Sequence, residues 1–145
     1  MTKHNYTIDI NAPKEKVWNA LWDDANYRYW TSVFSEGSHA ETDWQEGSKI
    51  HFLDGKGGGM YSTVVQNKPN EFMSIKHLGV IKDGQEQPID EETKKWSGSM
   101  ENYKLETVGN ATRLTAELDG MEEMKDYFDK TFPLALQKVK ELAEK

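Results

Sequence analysis

The stretch Trp96-Ser97-Gly98-Ser99-Met100-Glu101-Asn102-Tyr103 holds the residues whose types and spacing come closest to chemistry. Strand parity puts Glu101 on the same face as Tyr103 and Leu105, and that face reads as inward. A carboxylate pointing into apolar space is costly unless it is paired or useful. Three roles compete for Glu101. It is a general acid or base with a raised pKa; or it fixes a polar group on a bound ligand, with Tyr103 and His77 as further donors; or it pairs structurally with Arg28, Arg113 or a lysine near the sheet rim. The structural pair is the blandest reading and is preferred, followed by the ligand contact, with catalysis last.

The other reactive types offer less. His4, His39, His51 and His77 are far apart, with no HExxH and no histidine pair at helical spacing. His39, Glu41 and Asp43 fall on one strand face, a conceivable cation site, but a solvated face is the simpler reading. His77 shares the inward face of its strand with Met73 and Ile75, either hydrogen-bonded to a neighbour or touching a ligand. No serine lies in a G-x-S-x-G elbow, and nothing favours a Ser-His-acid triad. The glycine run Gly55 to Gly59 lacks the GK[ST] ending of a phosphate loop and reads as a floppy hairpin, able to gate a pocket mouth. No metal or other cofactor is expected.

Composition narrows the function classes. The chain has 145 residues, with 18 Lys and Arg against 25 Asp and Glu, and a net charge of −7. One domain spanning 1–145 is expected. The acidic balance disfavours nucleic acid and anionic lipid, both of which reward clustered positive charge. Without cysteine, disulfides, thiolate metal sites and a cysteine nucleophile are excluded. No apolar run reaches the length of a membrane span, and the first residues lack the apolar centre of a signal peptide. A soluble cytoplasmic protein with no membrane insertion is expected. Five Trp, six Tyr and five Phe form a large aromatic share, and rings line cavities as well as fill cores.

The elements that must position these residues follow from periodicity. Tyr6, Ile8 and Ile10 alternate with polar residues as a strand, which Asn11-Ala12-Pro13 ends. A helix follows through Val17, Trp18, Leu21 and Trp22, then a second short one over Asp24 to Trp30, capped by Asp23 or Asp24. Strands are expected over Glu36–Trp44, Lys49–Leu53, Met60–Gln66, Phe72–Ile81, Ser99–Val108 and Thr112–Leu118, separated by turn residues. Asp83 to Lys95 is a loop with one helical turn at Asp90 to Lys94. Met121 to Lys145 places Met124, Tyr127, Phe128, Phe132, Ala135, Val139 and Leu142 on one face of a long helix. Pro133 leaves the carbonyl of Asp129 without its donor, so a break or bend is expected near Asp129 to Thr131, with a movable N-terminal half. The fold class is α+β: a curved antiparallel sheet of six to seven strands wrapped around a long C-terminal helix.

Four local patterns in this order resemble the START-like, or SRPBCC, superfamily, in the branch named for the activator of the heat-shock chaperone ATPase. They are Ile10-Asn11-Ala12-Pro13 with Val17-Trp18-Asn19-Ala20-Leu21; Trp30-Thr31 with Phe34; Asp43-Trp44-Gln45-Glu46-Gly47 leading to Ile50, Phe52 and the hairpin on to Pro69; and Asn110-Ala111-Thr112-Arg113-Leu114-Thr115 before the aromatic-rich terminal helix. The resemblance implies a helix-grip fold with a cavity between sheet and terminal helix. Relatives bind lipids, hormones, polyketides or other apolar molecules; some are cyclases or hydrolases, and some bind a chaperone. The expected ligand contacts are Trp30, Phe34, Met73, His77, Trp96, Glu101, Tyr103, Met124, Phe128 and Phe132. The preferred function is binding a small apolar or amphipathic molecule as carrier or sensor. The alternatives are a cyclase or hydrolase using Glu101, Tyr103 and His77, and a chaperone-binding protein whose contact is the acidic loop Glu86 to Glu92.

Overall fold

A computed structural model describes residues 1–145. Alternating side chains make β1 (Thr2–Ile10). Pro13, with φ −71° and ψ 160°, starts α1 (Lys14–Trp22) because its ring fixes a φ suited to helix entry. The Asp23 carboxylate accepts from Asn26 N–H at 3.4 Å and caps α2 (Asp24–Thr31). Seven further strands are β2 (His39–Glu41), β3 (Lys49–Leu53), β4 (Gly59–Lys68), β5 (Phe72–Lys82), β6 (Gln85–Glu86), β7 (Met100–Val108) and β8 (Ala111–Gly120). Asp90 caps the single turn α3 (Glu91–Lys94), and α4 (Lys125–Ala143) follows a 3-10 turn at Glu122–Met124.

The sheet is antiparallel throughout, in the order β1-β8-β7-β5-β4-β3-β2, with β6 attached to β5 beside this path. The helix-grip architecture is therefore present, with eight strands rather than six or seven. The added strand is β6, two residues that pair with β5 inside the stretch expected to be a loop. The strand expected over Glu36–Trp44 shrinks to His39–Glu41, because Asp43 turns the chain by accepting from Gln45 N–H at 2.9 Å.

Helix α4 packs on β1, α1 and α2. Phe132, Ala135, Leu136, Val139 and Ala143 are buried in one core with Ile10, Leu21, Trp30, Leu114 and Tyr103. A buried leucine such as Leu136 contributes about 1.5–3 kcal/mol. The N-terminal part of the expected apolar face behaves differently: Met124 is 37% and Tyr127 41% exposed. That turn projects beyond the core.

The expected break at Asp129 to Thr131 is absent. The helix runs unbroken from Lys125 to Ala143 with Pro133 inside it. Pro133 costs one backbone hydrogen bond, but it and Asp129 are exposed, so the carbonyl is not shut away from solvent, and packing of Phe132 and Leu136 on either side holds the helix together.

Two β-bulges bend β4 and β5. The pairing passes from Tyr61↔Gly79 to Ser62↔His77, so Leu78 is an extra residue, and from Val64↔Ile75 to Gln66↔Ser74, so Val65 is another. The first resets which side chains face inward. His77, Ser62 and Met60 lie on the inner side, while Tyr61 crosses Gly79 on the outer side.

Candidate functional site

Beside the Leu78 bulge, the backbone of His77 bonds to the chain entering β7. His77 N–H donates to Ser99 O at 2.9 Å, and Gly98 N–H donates to His77 O at 2.7 Å. This places His77 diagonally across from Glu101, which pairs in register with Ile75. The imidazole Nε2 lies 2.8 Å from Glu101 Oε1, and Nδ1 lies 2.7 Å from Ser62 Oγ. The hydroxyl of Tyr103 donates to Glu101 Oε2. The result is a chain Ser62–His77–Glu101–Tyr103 across three strands. Ser62 is fully buried, His77 and Tyr103 nearly so, and the Glu101 side chain keeps 21% exposure.

Electrostatics decide what Glu101 is. Burial by itself pushes its carboxyl pKa up, but the hydrogen bond and charge of His77 and the hydrogen bond from Tyr103 outweigh it and hold the group below its usual range. The direction is opposite to what a protonated general acid needs. Burial, then the Glu101 charge and hydrogen bond, push the Tyr103 phenol well above its ordinary value. Tyr27 shifts the same way, from burial and then the charge of Glu101. The expected cationic partners are elsewhere: Arg28 pairs with Asp24 at 3.0 Å and Arg113 with Asp9 at 2.8 Å. Glu101 is paired, but through an imidazole and a phenol.

The Ser-His-acid order is not a nucleophilic triad. Ser62 has no surface open to a substrate. It serves to orient the imidazole, whose other nitrogen meets the carboxylate. No group of three or more His, Asp or Glu is placed to hold a metal ion. His39 stands 3.9 Å from Glu41, but Asp43 lies beyond the strand in a turn, so the three share no face.

Glu101 borders a cavity of about 470 Å³ between the sheet, α2 and the start of α4. Of the ten expected contacts, Trp30, Phe34, His77, Trp96, Glu101, Tyr103, Met124, Phe128 and Phe132 line it. Met73 does not; it is 1% exposed in the core behind Tyr103, its register partner. Tyr27, Phe52, Met60, Met100, Met121 and Asp119 also line the cavity. None of Gly55 to Gly59 reaches it, because Gly57 O accepts from Gly84 N–H at 2.8 Å and ties that loop to the opposite hairpin. Sequence reasoning missed Ser62 and Tyr27. The alternation Met60, Ser62, Val64 carries the signal for Ser62, and Gly79 inside an apolar strand hints at the bulge that turns His77 toward it.

The fold recurs in known structures. An Aha1 dimer from Colwellia psychrerythraea, solved in solution, is 25% identical and superposes with a TM-score of 0.70 over 99% of this chain and 97% of that one. CalU16 from Micromonospora echinospora, 17% identical, gives 0.67 over 97% and 75%. Protein MLL2253 from Mesorhizobium loti, 16% identical, gives 0.72 over 96% of both chains. The latter two speak to fold alone. No curated protein matches the sequence. The profile of the family described as activator of Hsp90 ATPase homolog 1-like protein matches residues 11–144, nearly the whole chain. With its helix-grip sheet and terminal helix, this chain belongs to that family, within the START-like superfamily.

Proposed function

We propose that this protein binds a small amphipathic molecule in the cavity between sheet and α4, as a carrier or sensor. One observation carries the reading: a space of about 470 Å³, walled mainly by aromatic and methionine side chains, with the hydrogen-bonded carboxylate of Glu101 at its wall. Apolar walls supply affinity, and a few fixed polar groups orient the guest. Methionines such as Met60 and Met100 adapt to an irregular shape. The ionised, doubly hydrogen-bonded Glu101 favours orienting a ligand over acid catalysis. The test is thermal unfolding against a broad apolar library, with native mass spectrometry of the purified protein. A ligand at one hundred times its Kd stabilises the native state by about 2.7 kcal/mol. No shift from any compound and no co-purified mass would overturn the proposal.

Family membership favours a second reading, a chaperone partner. The contact would be the acidic loop, where Glu91 and Glu92 project with side chains 91% and 82% exposed. Stimulation of an Hsp90-type ATPase by the purified chain, lost when that loop is shortened, tests it. No stoichiometric complex and no stimulation would remove it.

A further inference from the structure

We infer that the cavity selects a primary organic ammonium on an apolar or aromatic body, and discriminates against a carboxylate. This rests on the ligand-cavity reading and adds the charge of the guest.

The lining contains two carboxylates, Glu101 and Asp119, and no lysine or arginine. Asp119 accepts from Met100 N–H at 3.0 Å and lies 3.8 Å from the exposed Lys3 ammonium, so its charge is partly offset. Glu101 has no such cation: it meets only the imidazole of His77 and the phenol of Tyr103. Each of its oxygens accepts one hydrogen bond from the protein and keeps a second lone pair. A guest bearing N–H donors and positive charge satisfies both requirements at once. An anionic guest would meet a like charge in an apolar surrounding, where repulsion is screened least.

The rings point the same way. Eight of the twenty lining residues are aromatic, among them Tyr27, Trp30, Phe52 and Tyr103. Tyr27 packs edge-on to Trp30 at 5.3 Å and parallel to Phe52 at 6.3 Å, and Phe52 packs edge-on to His77 at 5.8 Å. Ring faces carry partial negative charge and attract a desolvated cation. A further acceptor is free as well. Tyr27 is 8% exposed, lines the cavity, and its hydroxyl has no hydrogen-bond partner in the protein. An ammonium between Glu101 and Tyr27 would use three kinds of attraction: the carboxylate, the phenol oxygen and the ring faces. A neutral alcohol would use only the hydrogen bonds.

The experiment compares three guests of matched shape, naphthylethylammonium, naphthylethanol and naphthylacetate, by calorimetry at pH 8.5, where an alkylammonium (about 10.4 for a lysine) keeps its charge and the acid is ionised. The expected order of affinity is amine, alcohol, acid, with the amine at least about tenfold tighter than the acid. In Glu101→Gln the gap between amine and acid should close severalfold. An acid that binds as tightly as the amine, or a gap unchanged in Glu101→Gln, would overturn the inference. Should that variant fold poorly, the wild-type series still decides the order. Binding of alcohol and acid without the amine sinks the charge preference alone. If none of the three binds and the library also fails, the cavity reading falls with it.

Discussion

His77 Nε2 lies 2.8 Å from Glu101 Oε1, a diagonal contact across β5 and β7 that exists because a bulge at Leu78 realigns the strand just beyond the histidine. The contact gives the Glu101 carboxylate a fixed orientation beside the cavity. Ser62 behind the imidazole and Tyr103 beyond the carboxylate leave neither group to rotate freely.

Removing the imidazole should cost more than removing the phenol hydroxyl. His77→Ala leaves Ser62 without its partner and Glu101 with a lost donor in a mostly apolar space, an expected loss of about 2–4 kcal/mol. Tyr103→Phe removes one donor and should cost about 1 kcal/mol. Urea unfolding of both variants and of the double variant measures the coupling. A smaller loss for His77→Ala than for Tyr103→Phe would show that the imidazole contact contributes little.

Acid stability should depend on Glu101. Burial raises its carboxyl pKa, but His77 and Tyr103 more than reverse this, so the folded value lies below the unfolded one. Such a group stabilises the fold above the unfolded pKa, about 4.3 for Glu, and loses that contribution as pH falls through the folded pKa. The unfolded chain binds the proton first, so stability drops on acidification. The acid limb of the stability–pH curve should therefore be shallower in Glu101→Gln. It should not vanish, because Asp9, Asp54, Glu86, Asp129 and Glu144 shift in the same direction. Equal limbs in the two proteins would contradict this account.

Gly79 has no room for a methyl group. A Cβ there would come within 2.4 Å of the Tyr61 ring, which lies flat over the strand and donates its hydroxyl to Gln87 O at 2.9 Å. Gly79→Ala should destabilise by about 1–3 kcal/mol. In a Tyr61→Ala background the same change should cost much less. Additive losses would mean that the ring is not what excludes the side chain.

Pro133→Ala should stabilise. The proline is exposed, inside an unbroken helix, and its replacement restores a donor for the Asp129 carbonyl. A gain of about 1 kcal/mol is expected, below the full interior penalty because this helix already accommodates the ring. A lower melting temperature for the variant would assign the proline a role in packing that its exposure does not suggest.

Much of this protein is legible in one dimension. Period-two runs mark the six longer strands, the three-four spacing marks α4, and Asp23 marks the start of α2. These are local signals, set by which residues share a face. Strand parity alone places Glu101 and Tyr103 on one inward face, and nine of the ten expected contacts do border the same cavity. The errors also have a local origin. One proline suggests a helix broken or bent near Asp129 to Thr131; the break does not occur, because packing against β1, α1 and α2 keeps α4 continuous. Met73 has the same parity as His77, yet its depth along β5 leaves it in the core.

By itself, then, the sequence determines the elements, their order, the acidic balance and the side of the sheet on which the carboxylate lies. Only the tertiary structure decides its partners. The arginines that could neutralise Glu101 engage Asp24 and Asp9 at the surface, while the bulge at Leu78 turns His77 toward Ser62 and Glu101. The reason is physical: faces follow from a periodicity that each segment carries alone, whereas a contact at 2.8 Å depends on the register of three strands and on one inserted residue.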